Sequence, residues 1–208
     1  MLKIVLVTTL YPAFSGQGRG EVSYALHDMA TRWREKVDLL VVRPQVVSLR
    51  QGRDPRIVPG ATSIEGVTVF NLFVRKFPKR PLFFPAVPQF ALTKTGFRPD
   101  IVIGHLGYNH LFAARLADHI QRPLIAGVHM GDIFSTPGML GEERLGTILA
   151  GAAAVSCRSA PVADHLSRRY PGLAQKVFVA PSGIEKRLIQ DAETVMRKVR
   201  SWKEGGRM

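Results

Sequence analysis

The chain has 208 residues, 46% of them hydrophobic and 22% charged, with 29 Lys and Arg against 16 Asp and Glu, a formal charge of +13. That apolar share supplies a sizeable core and excludes a disordered chain, while the length suits one α/β domain, or one and a fraction. A single cysteine, Cys157, excludes an internal disulfide and suits a reducing compartment, and no apolar stretch approaches the roughly 20 residues that cross a bilayer.

Leu2 to Val7 is rich in β-branched residues and predicts a first strand. Leu2 to Leu10 is also apolar enough for a signal-peptide core, but no small-residue cleavage site follows it. A loop with Pro12, Gly16, Gly18 and Gly20 comes next. Val22, Leu26, Met29 and Trp33 then recur at helical spacing, and Val37 to Val42 predicts a second strand, so the opening is a βαβ unit. Arg43 to Ser63 has little periodicity and is expected to be a surface excursion. Val67 to Phe73 predicts another strand, and Val87 to Thr95 a short helix in an aromatic, proline-punctuated stretch. Ile101 to Ile103, Pro123 to Val128, Ala153 to Cys157 and Lys176 to Ala180 predict further strands. Leu111 to Ile120 and Gly141 to Leu149 predict helices between them, and Ser159 is placed to cap a helix with Pro161 in its first turn. Strands alternating with helices along the chain predict a doubly wound, Rossmann-like parallel sheet. Cys157 reads as a small buried hydrophobe within its strand. Residues 1–189 are expected to form the domain, and 190–208 a helix and linker toward a second domain.

Ligands of such sheets bind outside the carboxyl ends of the strands. That rim collects the loop Thr8 to Gly20, His105, His129 with Asp132, Ser156 to Ser159, and Pro181 to Glu185. A glycine-rich loop running into a helix exposes amide N–H groups to an anion, typically a phosphate. Gly16-Gln-Gly-Arg-Gly20 is nevertheless not a dinucleotide fingerprint, because Glu21 holds the third glycine's place. Arg43 stands where an acidic ribose-binding residue belongs, and no P-loop occurs. No His, Cys or carboxylate spacing suggests a metal site, and no metal or other cofactor is expected. For His129 and His105 the competing reading is a structural histidine at a strand end, and for Asp132 a helix N-cap. His27, His110, His119 and His165 read as surface or packing residues.

The series Tyr11-Pro12 … Arg19-Gly20, Pro99-Asp-Ile-Val-Ile-Gly-His105, Pro123-Leu-Ile … His129-Met-Gly-Asp-Ile133, Ala153-Ala-Val-Ser-Cys-Arg-Ser159 and Lys176-Val-Phe-Val-Ala-Pro-Ser-Gly-Ile-Glu185 resembles the N-terminal, acceptor-side domain of glycosyltransferase family 4, the retaining enzymes of GT-B fold. The resemblance covers nearly the whole chain in order. It implies that Gly20, with Gly18 as companion, approaches the donor diphosphate or the acceptor. His129 would stand beside the transferred sugar, with Asp132 holding its turn and facing the acceptor as the second catalytic residue. His105 would line the acceptor side, with Tyr11 and Ser159 in the substrate-binding set. Met130 departs from the family's glycine, and Ser182 and Glu185 from its Asn and Asp. The family's donor, a nucleotide-sugar, would be a co-substrate bound by a C-terminal domain whose Glu-x7-Glu motif this sequence does not contain.

The resemblance therefore implies transfer of a sugar to a hydroxyl of a glycan or lipid-linked acceptor, by a chain that is inactive alone and located in the cytoplasm. The basic, aromatic segment Phe73 to Phe84, with Arg75, Lys76, Lys79 and Arg80, suits either an anionic membrane inner face or a solvated loop. The alternative function is a non-catalytic basic module for anionic membrane or nucleic acid, although no nucleic-acid motif supports it. A natural split enzyme, with its donor half on another polypeptide, is a third arrangement.

Overall fold

The computed structural model describes residues 1–17, 22–48, 54–76 and 87–180. In chain order the elements are β1 (Leu2–Val7), α1 (Tyr24–Trp33), β2 (Val37–Ser48), β3 (Gly60–Ile64), β4 (Val67–Lys76), α2 (Val87–Thr95), β5 (Ile101–His105), α3 (Asn109–Ile120), β6 (Leu124–Val128), α4 (Met130–Phe134), α5 (Thr136–Leu140), α6 (Glu142–Gly151), β7 (Ala154–Cys157), α7 (Ala160–Arg169) and β8 (Val177–Val179). They build one eight-stranded sheet ordered β3-β4-β2-β1-β5-β6-β7-β8. Every pairing is parallel except that of β3 with β4. The strand order reverses beside β1, and a crevice opens at such a switch point.

Both faces of the sheet are covered. Ile4, Leu6, Leu39 and Val41 turn to one face, where Leu26 and Ala30 of α1 and the ring of Tyr11 close over them. Val5, Val7, Leu40 and Val42 turn to the other, against Leu92 of α2 and Leu111, Phe112 and Leu116 of α3. This alternation within near-continuous apolar runs is what burial on two faces demands. Cys157 is fully buried, and burial pushes its thiol up to about 11, so it packs as the sequence suggested.

The doubly wound architecture agrees with the sequence, but the stretch expected to be an excursion does not. β2 runs on through Arg43 to Ser48, and β3 adds an antiparallel edge within Gly60–Ile64. Pro44 interrupts the pattern that marks a strand. It is tolerated because β1 pairs only as far as Val42, so beyond that point β2 has one partner, β4. The short helices α4 and α5 carry no periodicity long enough to be read from sequence. Gly18, Gly20, the segment 77–86, the turn Pro181 to Glu185 and the expected C-terminal helix and linker lie outside the described residues. Among the described residues no helix is long and apolar enough to cross a membrane.

Candidate functional site

Parallel register brings Thr8, His105, His129 and Arg158 to the same edge of the sheet. Val7 lies opposite Gly104, so Thr8 follows β1 beside His105, and Thr8 Oγ1 is 3.3 Å from His105 Nδ1. His105 lies opposite Gly127, and Val128 opposite Cys157, which sets His129 and Arg158 side by side at neighbouring strand ends. Two glycines make the close approach possible. A Cβ on Gly127 would meet His105 Cδ2 at 3.3 Å, and one on Gly104 would meet Ala113 Cβ at 2.8 Å and the His110 backbone at 3.3 Å. The first leaves room for the His105 ring, and the second lets α3 settle onto β5.

His105 and His129 meet edge to face, with ring centroids 4.5 Å apart at 88° and their Nε2 atoms 2.6 Å apart. Only one proton fits between those nitrogens, so one ring donates and the other accepts. Burial, then the neighbouring His129 and Arg158, push the His105 imidazole down to about 3. Burial and then Arg158 lower His129 as well, against the pull of Asp132. The pair is therefore neutral near pH 7. It can donate or accept a hydrogen bond, but the standing positive charge here belongs to Arg158.

Asp132 is 1% exposed and occupies the third position of α4 rather than its N-cap. Its Oδ2 accepts from the His129 backbone N–H at 2.9 Å. Its Oδ1 accepts from Gly107 N–H at 2.8 Å, His110 Nε2 at 3.1 Å and the Thr136 hydroxyl at 2.9 Å. Leu106 (φ 67) and Gly107 (φ 62) are both left-handed, and this pair of residues turns the loop so that the Gly107 amide faces the carboxylate. Burial alone would raise the carboxyl, but the hydrogen bond and charge of His110 and the two amides hold it down at about 2. Both oxygens are thus occupied by the protein. Asp132 fixes the His129 turn from the third position of α4, which corrects its N-cap alternative.

Met130, at the expected family glycine, is the first residue of α4, and its side chain is 54% exposed. The helix accepts it with no special backbone. Ser159 does precede α7, with Pro161 in the first turn, but its hydroxyl makes no cap bond. Tyr11 is fully buried, with its hydroxyl 2.7 Å from His27 Nδ1, and His27 in turn reaches Glu65. The ring packs edge-on against His27 of α1.

Arg43, conspicuous in sequence as a basic residue at an acidic position, turns inward. It donates to Asn71 Oδ1 at 2.9 Å and to the Thr9 carbonyl at 3.0 Å, while Asn71 donates to the Ala13 carbonyl at 2.9 Å. Together they tie down the loop after β1. Burial lowers the Arg43 guanidinium to about 10, still charged at neutral pH.

Sequence reasoning missed His110, Thr136 and Arg158. His110 read as a packing residue, and packing is part of its role, but nothing in spacing pairs it with an aspartate 22 positions on. Arg158 was legible in principle, as the first residue after a buried strand. Among the described residues no group of three or more His, Cys, Asp or Glu could hold a metal. A groove of about 930 Å³ lies between α3 and α6 at the amino ends of β6 to β8, and its lining includes no group from the strand-end cluster.

The model of Glycosyltransferase Family 4 matches residues 22–187. The chain belongs to that family. A search of curated proteins finds no match. Among solved structures, the fold resembles sucrose-phosphate synthase (tll1590) from Thermosynechococcus elongatus, with TM-score 0.58, 13% identity, and coverage of 90% of this chain and 50% of that one. It also resembles Anabaena Alr3699/HepE in complex with UDP and glucose, with TM-score 0.55, 16% identity, and coverage of 96% and 50%. UDP-N-acetylglucosamine 2-epimerase from Rickettsia bellii gives TM-score 0.55, 13% identity, and coverage of 96% and 48%. The family 4 chain thus spans about half the length of these relatives, and the likeness to an epimerase as well as to a synthase shows shared fold rather than shared chemistry.

Proposed function

We propose that this chain is the acceptor-side half of a retaining glycosyltransferase that moves a sugar from a nucleotide-sugar to an acceptor hydroxyl. The observation carrying the reading is the strand-end cluster in which His129, oriented by His105 and by the Asp132 turn, stands at the carboxyl-end rim of the sheet with Arg158 beside it. On this reading His129 is the catalytic residue, and its neutral imidazole hydrogen-bonds the sugar or the developing charge. Asp132 and His105 position it, and Gly18, Gly20 and Ser159 line the ligand. No free carboxylate stands in the described cluster to serve as a nucleophile, which favours catalysis by positioning and by stabilisation of the departing diphosphate. The donor half is a separate domain, so these 208 residues alone turn over little or no substrate. Arg75, Lys76, Lys79 and Arg80 would hold the protein at the cytoplasmic side of an anionic membrane, near a lipid-linked acceptor.

The test is an activity screen of the complete gene product with UDP-, GDP- and ADP-sugars. His129→Ala is expected to cut kcat by about a hundredfold or more, the range for losing a positioned donor or acid–base group. Full turnover by that variant, or by the 208-residue chain alone, rejects the assignment.

A further inference from the structure

We infer that Arg158, together with His129, which His105 orients, forms a subsite for a phosphoryl group of the ligand. β5, β6 and β7 are neighbours in parallel register, and their ends bring together two neutral imidazoles and one cation: His105 at the end of the first, His129 just after the second, Arg158 just after the third. The Arg158 amide donates to the Val128 carbonyl at 3.3 Å, which locks its backbone beside His129. Its side chain is half-buried, and burial lowers its guanidinium below the ordinary value. Among the described residues it has no carboxylate partner. The one acid in the cluster, Asp132, already accepts four hydrogen bonds and is shielded from the rim. A partly desolvated cation without a counter-charge is costly to hold. An anion in the crevice removes that cost, and a guanidinium fork fits phosphoryl oxygens in bidentate fashion. The ten-residue helix α7 begins at Ala160, two residues after Arg158, and its N-cap Ser159 makes no side-chain cap bond, so its first-turn amides add to the same positive field.

This inference rests on the transferase reading only for the origin of the phosphoryl group, which is either the donor's diphosphate or a phosphorylated acceptor. The 208-residue chain would be titrated with inorganic phosphate, glucose 6-phosphate, UDP and uncharged glucose, following the imidazole proton resonances by NMR. The charged probes are expected to shift the His129 and His105 resonances saturably, and glucose to bind at least about tenfold more weakly. Arg158→Gln should weaken phosphate binding about tenfold or more, with Arg158→Lys in between. UDP binding more tightly than glucose 6-phosphate assigns the group to the donor, and the reverse order assigns it to the acceptor. Unmoved imidazole resonances in the wild type, or undiminished binding by a folded Arg158→Gln, overturn the inference, and the wild-type titration alone suffices if that variant does not fold. Phosphate binding by a protein whose complete gene product transfers no sugar would sink the transferase reading and leave the subsite standing. His129-dependent transfer without phosphate binding would sink the subsite alone.

Discussion

A buried carboxylate with four donors is an arrangement that cannot be relaxed one bond at a time. Asp132 joins the β5–α3 loop through Gly107, helix α3 through His110, α5 through Thr136 and the His129 turn through its own helix. Asp132→Asn keeps the shape but removes the charge and turns an amide N–H₂ against one of those donors. The expected cost is on the order of 3 kcal/mol, the range for breaking a buried charged network from one side, read by urea unfolding. The same site sets an acid limit. His105 is held at about 3 against 6.5 in the unfolded chain, so below 6.5 the unfolded state binds the extra proton. Stability is complete above 6.5 and falls with pH down to about 3, by up to roughly 1.4 kcal/mol per unit. Asp132, held at about 2 against 3.8, adds a second loss, in the window from 3.8 to 2. His105→Gln should flatten the first window; urea midpoints measured from pH 7 to 4 check this, and an unchanged slope would show that His105 is not the titrating group.

At the level of elements, what could be read from the sequence was whatever repeats within one segment. α2 was bounded to the residue, and the strands carrying the rim were placed to within a few positions, because apolar runs and helical stripes are local signals. The second half of β2 was missed because its stability comes from pairing with β4, 28 residues on, which no local pattern encodes. β3 is instead one arm of a local hairpin with β4 across the turn Glu65-Gly66, both at positive φ, and that turn was a signal left unread. For the site the division is the same. His129 and Asp132 share one turn, so their relation was legible, whereas His105 meeting His129 and His110 meeting Asp132 depend on register and on absent Cβ atoms. Gly104 shows how strict that dependence is. Gly104→Ala places a methyl 2.8 Å from Ala113 Cβ and 3.3 Å from the His110 backbone, neither of which can swing aside. α3 must lift from β5, with an expected loss of about 1–3 kcal/mol and a longer His110–Asp132 bond. Gly127→Ala asks only a few tenths of an ångström from the His105 ring, so it should cost less stability while disturbing the imidazole pair. Thermal melts and imidazole NMR of the two variants separate these outcomes.

Across the whole molecule the excess of 29 basic over 16 acidic residues acts at a distance that no single contact does. On the proposed function the donor is a nucleotide-sugar with two negative charges on its diphosphate, and a chain of formal charge +13 would draw it in before any side chain touches it. Screening shortens that reach from about 10 Å at 0.1 M salt to about 3 Å at 1 M. Steering changes encounter and leaves the bound geometry alone. In the complete gene product, kcat/KM for the nucleotide-sugar should therefore fall several-fold between low and high salt while kcat holds, and KM for an uncharged acceptor should stay flat. Steady-state kinetics over that salt range checks the split. A parallel fall in kcat would mean that the charge holds the two halves of the enzyme together instead of gathering substrate, and a flat kcat/KM would mean that the cationic surface faces away from the donor's path.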